Sequence, residues 1–306
     1  SLAGLGVRFG VAIGRAAARG QRGGRDPGVV VETAEDRAIA ALDDARSLSD
    51  GDIIRTAVCV IGAGAAGLTI AHRMSHAGLP CVVLEAGGAR PSRQSQSFYW
   101  ARRSGAPNHS YAYSRFRALG GSTTFWTGQC VELEEEDFLG RGEVVPAWPF
   151  RKSELSEYYR AAAELLHLPS EGRTDLAPDD ALRCPEADFH EVRLSPVRNF
   201  AEAGALMHHG TTPARIILNA PVTEISPDDT LERIRSVRIS LPDGRRVTCE
   251  ARVFVLATGG VENARLLLLS NDRAPRGLGN PHDLVGRYFM DHAYMNAGTV
   301  TRTSRA

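Results

Sequence analysis

The sequence lacks several features that would place it in particular classes of protein. It contains no run of eighteen apolar residues, so no segment is expected to cross a membrane as a helix. Acidic and basic side chains balance at a formal net charge of zero, and no overall field therefore attracts nucleic acid or an acidic membrane. Lysine is nearly absent, since Lys152 is the only one, and the other basic residues are arginine. Neither a nucleic acid nor a membrane is expected as a partner.

Cysteine is also scarce and scattered. The five cysteines are Cys59, Cys81, Cys130, Cys184 and Cys249, and none forms a C-x-x-C pair. An odd, scattered set argues against a disulfide framework, and a free thiol in an apolar run behaves as a small hydrophobe. A reducing, cytoplasmic setting fits best. No metal site is expected, because His72 and His76 stand four apart on a predicted helix without an evident third ligand.

What the sequence does contain is a dinucleotide fingerprint in its structural context. The residues from Gly62 to Gly67 read Gly-Ala-Gly-Ala-Ala-Gly. They follow a short apolar run typical of a buried parallel strand, at 57–61, and open a predicted helix over about 65–77. A second apolar run at 81–84 ends at Glu85. Strand, glycine turn, helix, strand and acid together predict the binding of a dinucleotide cofactor, with the helix amino terminus facing the phosphates.

Two later glycine-rich segments accompany the fingerprint. Gly120-Gly121 precedes three hydroxyl residues, Phe125 and Trp126, and such a loop either folds closely round a flat ligand or is a surface loop anchored by its two aromatic residues. The segment 255–268 repeats the pattern of buried strand, glycine turn and helix. It either returns beside the fingerprint or is an ordinary connection within the sheet. Asp291-His292 is more readily a structural pair than a catalytic one.

These segments, in this order, resemble the glucose–methanol–choline oxidoreductases, closest to the branch of the pyranose 2-oxidases and related sugar oxidases. The blocks that carry the resemblance are the fingerprint with Leu84–Gly87, the Arg117–Ser122 loop, Asp137-Phe138, Trp148-Pro149, Tyr158-Tyr159 and the segment 257–268. The resemblance extends from about Thr56 to His292. It implies FAD as the cofactor, and hydride transfer from a carbon that bears a hydroxyl group as the reaction.

Carried over position by position, the resemblance implies a set of cofactor-binding residues. The pyrophosphate would be cradled by Gly62, Gly64, Ala66 and Gly67 and flanked by residues 257–259. Glu85 would hold the adenosine ribose, and Val222 would lie beside the adenine through its backbone. Residues 121–126 would run along the isoalloxazine. The complete predicted set is Gly62, Gly64, Ala65, Ala66, Gly67, Glu85, Ala86, Gly120, Gly121, Ser122, Thr123, Trp126, Val222, Ala257, Thr258 and Gly259.

The resemblance also indicates what this chain does without. Some pyranose oxidases attach FAD through a histidine at the loop position that Phe125 occupies here, so non-covalent FAD is expected. The family's catalytic histidine comes from its C-terminal part, and no histidine here lies in a matching segment. The catalytic residues are therefore expected beyond residue 306, with little or no turnover by this chain alone.

The predicted fold is α/β: a Rossmann-like FAD-binding domain with a parallel sheet, flanking helices and a β-meander, followed by the start of an α+β substrate domain. Residues 1–50 are predicted as an N-terminal tail and helix, in which 1–28 is a disordered or weakly helical tail, or else a targeting peptide, and 35–48 is one amphipathic helix. Residues 51–292 would form the FAD-binding domain, with an irregular and helical insertion over about 90–212, and residues 293–306 would begin the truncated substrate domain. An NAD-linked dehydrogenase and a non-catalytic flavin-binding module remain alternatives; the alcohol or sugar substrate, the electron acceptor and the oligomeric state stay open.

Overall fold

One sheet of seven strands organises the chain, in the order β1-β6-β3-β2-β9-β8-β7. The computed structural model describes residues 42–101, 114–142, 147–169, 192–197, 199–201 and 214–289. The strands of the sheet are β1 (Leu42–Asp44), β2 (Ile53–Ile61), β3 (Cys81–Leu84), β6 (Arg215–Leu218), β7 (Val222–Pro227), β8 (Ile234–Ser240) and β9 (Arg246–Leu256). Two short strands, β4 (Gln129–Cys130) and β5 (Arg193–Leu194), form a separate antiparallel pair.

The middle of the sheet is parallel and its far edge is an antiparallel meander. Strand β2 pairs in parallel with β3 on one side and with β9 on the other, and β3, β6 and β1 continue in parallel. Strands β9, β8 and β7 follow one another as antiparallel hairpins. Because the central strands run in the same direction, β2, β3 and β9 all end at one edge of the sheet. The predicted α/β fold with its meander is confirmed.

Four α-helices are described: α1 (Ala65–His76), α2 (Arg93–Ser97), α3 (Ser156–Leu165) and α4 (Gly260–Leu269). Short 3-10 helices lie at Ala45–Ser47, Gly121–Thr124, Glu135–Asp137 and Lys152–Leu155. Among the described helices, none is long and apolar enough to cross a membrane.

The core lies on both faces of the central strands. Successive side chains of a strand point to opposite faces, and in β2 the alternation divides Cys59 and Ile61 from Val58 and Val60 into two buried clusters. Val60 and Val83 have no exposed surface at all. Burial on both faces explains why these strands appear in the sequence as continuous apolar runs.

Two sequence predictions about local structure were wrong. The α-helix expected over 35–48 is not present at 42–48, where Leu42–Asp44 is a strand and Ala45–Ser47 a short 3-10 helix; residues 35–41 lie outside the described part. It pairs with β6 along the sheet edge, and Asp44 accepts a hydrogen bond from Asn219 Nδ2 at 2.9 Å. Pairing with a distant strand overrode the helical spacing of apolar residues.

The second error concerns 216–225, a stretch whose apolar residues predict a single strand from the sequence. It forms two strands: β6 lies next to β1 at one edge of the sheet, and β7 is the strand at the opposite edge. Asn219 has a φ of 52° and breaks the run; asparagine is among the residues that tolerate this left-handed conformation. The boundaries of the domains stay a prediction, and the expected substrate-domain start at 293–306 lies outside the described residues.

Candidate functional site

The carboxyl ends of β2, β3 and β9 meet at one point, and the two glycine turns are in direct contact there. The N–H of Gly62 donates to the carbonyl of Leu84 at 2.8 Å, and that of Ala257 donates to the carbonyl of Ile61 at 2.8 Å. A ligand crevice at the carboxyl edge of a parallel sheet is the usual arrangement in α/β proteins. The segment around Ala257 therefore returns beside the fingerprint, which is the first of the two possibilities that the sequence offered for it.

The three fingerprint glycines occupy positions that differ in how much room they leave for a side chain. Gly62 has a φ of 103°, and a Cβ there would come within 2.6 Å of the carbonyl oxygen of Ala257. A Cβ on Gly67 would come within 1.9 Å of the carbonyl oxygen of Gly62, so the close packing of α1 on the turn depends on it. A Cβ on Gly64 would meet nothing within 4 Å. The space beside Gly64 is open to a ligand.

Helix α1 presents its amino terminus to this space. Gly64 is the N-cap and provides no side-chain cap, and the first turn contains no acidic residue. The first N–H groups of a helix lack partners within the helix, and the helix dipole makes this end favourable for an anion. Ala65 and Ala66 line the open space. Their small side chains leave the backbone accessible to a phosphate group.

The Gly120-Gly121 loop is the third segment that packs at this edge of the sheet. The N–H of Gly120 donates to the carbonyl of Ala63 at 2.9 Å. Gly121 has a φ of 54°, and a Cβ on it would lie 2.9 Å from the Cα of Gly64. This close approach of two backbones requires glycine at position 121. The loop is thereby held against the fingerprint turn.

Together the three segments enclose a cleft of about 380 Å³, within the range typical of ligand sites. Of the sixteen residues predicted to bind the cofactor, thirteen line this cleft. They are Gly62, Gly64, Ala65, Ala66, Glu85, Ala86, Gly121, Ser122, Thr123, Val222, Ala257, Thr258 and Gly259.

The three predicted residues that do not line the cleft support it from behind. Gly67 provides the helix packing described above. Gly120 has a φ of 86°, and a Cβ on it would lie 2.4 Å from Asn199 Oδ1. Trp126 donates from Nε1 to the carbonyl of Val197 at 3.1 Å and packs edge-on against Phe200. In the structure Trp126 anchors the loop in the core, one of the two possibilities that the sequence left open.

We expect Trp126→Phe to lower the unfolding free energy by about 1 kcal/mol, because it deletes one half-buried hydrogen bond and some packing. Affinity for FAD should stay within about twofold, since the indole does not line the cleft. Urea unfolding followed by circular dichroism, with FAD titration of the same variant, measures both quantities. A large loss of FAD affinity at unchanged stability would assign Trp126 to the cofactor instead.

Glu85 is the buried acid of the site. Its Oε2 accepts from the N–H of Ala63 at 2.9 Å and its Oε1 accepts from that of Gly87 at 2.8 Å. Burial raises the pKa of the Glu85 carboxyl, while these two hydrogen bonds and the nearby Arg117 act in the opposite direction. Glu85 thus fixes the fingerprint turn while it lines the cleft. Each carboxylate oxygen has a second lone pair with which it can accept a ribose hydroxyl.

The hydroxyls of the Gly-Gly loop are mostly engaged within the protein. Thr123 Oγ1 donates to the carbonyl of Gly120 and accepts from the N–H of Phe200, and Thr124 Oγ1 donates to the carbonyl of Gly121. Ser122 is exposed and lines the cleft. Of the three hydroxyls expected to serve a ligand, Ser122 is the best placed. Phe125 stacks on Phe116 with ring centroids 4.1 Å apart.

Sequence reasoning assigned no cofactor role to several residues of the cleft, some of which lie in segments without a recognisable motif and others within the Arg117–Ser122 loop or the segment 257–268. These are Tyr99, Arg115, Phe116, Arg117, Ala220, Glu262, Asn263 and Arg265. Asn263 Oδ1 accepts from both the N–H and the hydroxyl of Thr258, at 3.0 and 2.6 Å. It fixes the second glycine turn from the first turn of α4. The sequence signal that could have identified Asn263 is its position four residues after Gly259, in the first turn of a helix that follows a strand and a glycine turn.

The described part of the chain offers no histidine along the cleft, and it contains no cluster of three or more His, Cys, Asp or Glu that could hold a metal ion. His72 and His76 contact each other on α1, with ring centroids 4.4 Å apart. His292 lies outside the described residues.

The chain is similar to two curated dehydrogenases. It is 25% identical to the fructose dehydrogenase large subunit of Gluconobacter japonicus over 317 aligned positions, which cover 77% of this chain and 58% of that protein. It is 40% identical to 2-methyl-1,2-propanediol dehydrogenase of Mycolicibacterium austroafricanum over 63 residues, covering 20% of this chain and 11% of that protein. The chain thus spans little more than half of the longer-matching relative.

Solved structures of similar chains include a formate oxidase and pyridoxine 4-oxidase from Mesorbium loti. The first has 14% sequence identity and a TM-score of 0.45, over 73% of this chain and 48% of that chain. The second has 17% identity and a TM-score of 0.44, over 70% and 51% respectively.

A family match covers every segment of the cleft and all strands of the sheet except β1 and the first residues of β2. Residues 57–277 match the DAO family, described as FAD dependent oxidoreductase. That range contains the fingerprint turn, the Gly-Gly loop and the second glycine turn. The cofactor predicted from the sequence, FAD, is confirmed by this match. The chain belongs to the FAD dependent oxidoreductase family.

Proposed function

We propose that the chain is the cofactor-binding part of a glucose–methanol–choline-type enzyme that oxidises a CH–OH group of an alcohol or sugar. The observation that carries this proposal is the convergence of three separate motifs on one cleft. Thirteen of the sixteen residues carried over from that family line it, although they come from segments almost two hundred residues apart. An NAD-linked dehydrogenase would leave the Gly-Gly loop and the second glycine turn without a role.

The names of the curated relatives support the substrate class. One is a dehydrogenase of fructose, a sugar, and the other a dehydrogenase of a diol. Both substrates carry hydroxyl groups on carbon. Bound FAD supplies the acceptor for the hydride that leaves such a carbon. A small alcohol or carbohydrate is therefore the proposed substrate.

The residues of this chain bind and orient the cofactor. The N–H groups at the start of α1, beside Ala65 and Ala66, would face the pyrophosphate, and Glu85 would accept hydrogen bonds from the ribose. Val222 lines the cleft at the start of β7, the position proposed to lie beside the adenine. Gly121 and Ser122 line the cleft, and we propose that this part of the Gly-Gly loop runs along the isoalloxazine.

A base that removes the hydroxyl proton is proposed to lie in a part of the enzyme not included in this sequence. None of the residues described along the cleft is a histidine. We expect FAD binding without substrate-dependent bleaching of the flavin by the 306-residue chain. Rapid flavin reduction by a sugar or an alcohol in anaerobic stopped-flow would contradict this division of roles. A longer gene product that still fails to reduce FAD would favour the non-catalytic module.

The FAD is expected to be non-covalent, because Phe125 has no nucleophile with which to bond the flavin. We predict that acid precipitation of the yellow protein leaves essentially all flavin in the supernatant as FAD. Absorbance at the flavin maximum, measured in supernatant and pellet, tests this. Flavin that stays with the pellet would contradict the prediction. A colourless protein that takes up no added FAD would contradict the function itself.

A reducing, cytoplasmic setting is part of the proposal. The described cysteines Cys59, Cys81, Cys130 and Cys249 are free thiols, and burial raises the pKa of Cys81 to about 11. A thiol with a raised pKa is a poor nucleophile in disulfide exchange.

A further inference from the structure

Arg117 is a buried cation that the chain itself does not fully satisfy. Its side chain is 10% exposed and lines the cleft. Among the described residues, no atom accepts a hydrogen bond from its Nε, which is buried. Burying a charged donor without a partner costs free energy, and such groups are generally found paired. A buried guanidinium with an N–H that lacks an acceptor, beside a ligand cleft, indicates an anionic partner.

The acid nearest to Arg117 does not fill that role. Arg117 Nη1 lies 3.8 Å from Glu262 Oε2, which is too long for a hydrogen bond. The same Glu262 carboxylate is already held by Arg265, at 2.8 Å from Nη2 and 3.1 Å from Nε. Glu262 therefore lies close enough to attract Arg117 but directs its hydrogen bonds to a different arginine. The charge of Arg117 remains available.

The backbone and two aromatic rings hold Arg117 in place. The backbone N–H of Arg117 donates to Gln96 Oε1 at 2.8 Å. A Cβ on Gly87 would lie 2.0 Å from the backbone carbonyl oxygen of Arg117, so Gly87 lets the two backbones pack closely. The guanidinium carbon lies 4.9 Å from the centre of the Phe98 ring and 5.6 Å from that of Tyr99. Stacking on aromatic faces favours arginine and leaves the edge of its plane free to donate. Arg117 is thus positioned before a ligand arrives.

We propose that Arg117 binds the diphosphate of FAD. This inference depends on the proposed function of the cleft as an FAD site. Adenine and ribose are neutral, so the diphosphate is the part of the cofactor that can neutralise the guanidinium. Arginine is well suited to phosphate oxygens because its planar N–H groups donate to them in parallel. Arg117 also offsets the repulsion between the diphosphate and the two acids of the cleft, Glu85 and Glu262.

The test uses three ligands of increasing size: adenosine, ADP and FAD. We expect Arg117→Met to weaken ADP and FAD binding by between about tenfold and a hundredfold, the range for losing a charged hydrogen-bond donor. Adenosine affinity should stay within about twofold, since adenosine carries no phosphate. Calorimetry measures adenosine and ADP, and quenching of flavin fluorescence measures FAD.

The matched control is Arg238→Met, which removes an arginine paired with Glu224 outside the cleft. It should leave affinity for all three ligands as in the wild type. ADP affinity unchanged in Arg117→Met, or an equal loss for adenosine and ADP, would overturn the assignment to the diphosphate. Wild-type protein that binds neither FAD nor ADP would overturn the proposed function as well.

Arg117→Lys covers the case in which the methionine variant does not fold. Lysine keeps the charge but lacks the Nε–H and the planar group. We expect ADP affinity to fall by about threefold to tenfold, with adenosine unchanged. ADP affinity equal to that of the wild type in this variant would refute a role for the Arg117 guanidinium.

Discussion

Replacing Gly67 by alanine is expected to destabilise the chain severely, by about 3 kcal/mol or more, because overpacking of a tight contact forces the backbone apart. The added Cβ would lie 1.9 Å from the carbonyl oxygen of Gly62 and 3.3 Å from Val60. Neither can withdraw easily, since Gly62 is hydrogen-bonded to Leu84 and Val60 is fully buried. Urea unfolding of the apoprotein should show the loss without any added cofactor.

Gly64→Ala is the matched comparison, because it adds the same methyl group three residues earlier in the chain with the opposite expected result. Gly64 has a φ of −81°, which alanine adopts readily, and its Cβ would meet nothing within 4 Å. Stability should change by no more than about 1 kcal/mol. FAD affinity should fall by at least about tenfold, since the methyl group occupies the space where the pyrophosphate approaches the backbone. Full FAD affinity in Gly64→Ala would show that the cofactor does not approach there.

Glu85→Gln is expected to produce the second large effect. A glutamine has one acceptor oxygen, so its amide nitrogen would face either the Ala63 or the Gly87 N–H, donor against donor. Leaving one buried N–H without an acceptor costs about 1–3 kcal/mol. FAD affinity should also fall by at least about tenfold, because the ribose loses an acceptor at the same position. Glu250→Gln, whose carboxylate pairs with Arg55 at the other end of the strands, is the control.

The stability of the apoprotein should also depend on pH through Glu85. Because burial holds the pKa of this carboxyl above its value in the unfolded chain, the folded state binds the proton more tightly. The contribution of Glu85 to stability is therefore complete below the ordinary glutamate pKa of about 4.3 and declines as pH rises through the higher folded value. The difference in unfolding free energy between wild type and Glu85→Gln, measured from pH 4 upward, should shrink as pH rises. A difference that grows with pH would contradict the direction.

The sequence alone determined the sheet centre and the identity of the cofactor. The run at 57–61 and the strand at 81–84 were predictable because burial on both faces demands continuous apolar residues. Gly62 and Gly67 were predictable because a βα turn and close helix packing accept no side chain there. Those constraints are local, and a short pattern records them completely. The resemblance of these segments, in this order, to a known family then implied FAD.

Tertiary structure decided what depends on distant pairing. Strand Leu42–Asp44 exists because β6 lies beside it, and no local pattern records that partner. The role of Trp126 as an anchor depends on Val197, seventy-one residues away. Arg117 belongs to a loop that carries the family resemblance, but only the fold showed that its side chain lines the cleft near Glu262, because the sequence does not record where the side chain of a loop arginine points. Long-range packing and the balance of buried charge are properties of the folded chain. Only the folded structure therefore shows that the buried Arg117 guanidinium has an N–H without an acceptor among the described residues.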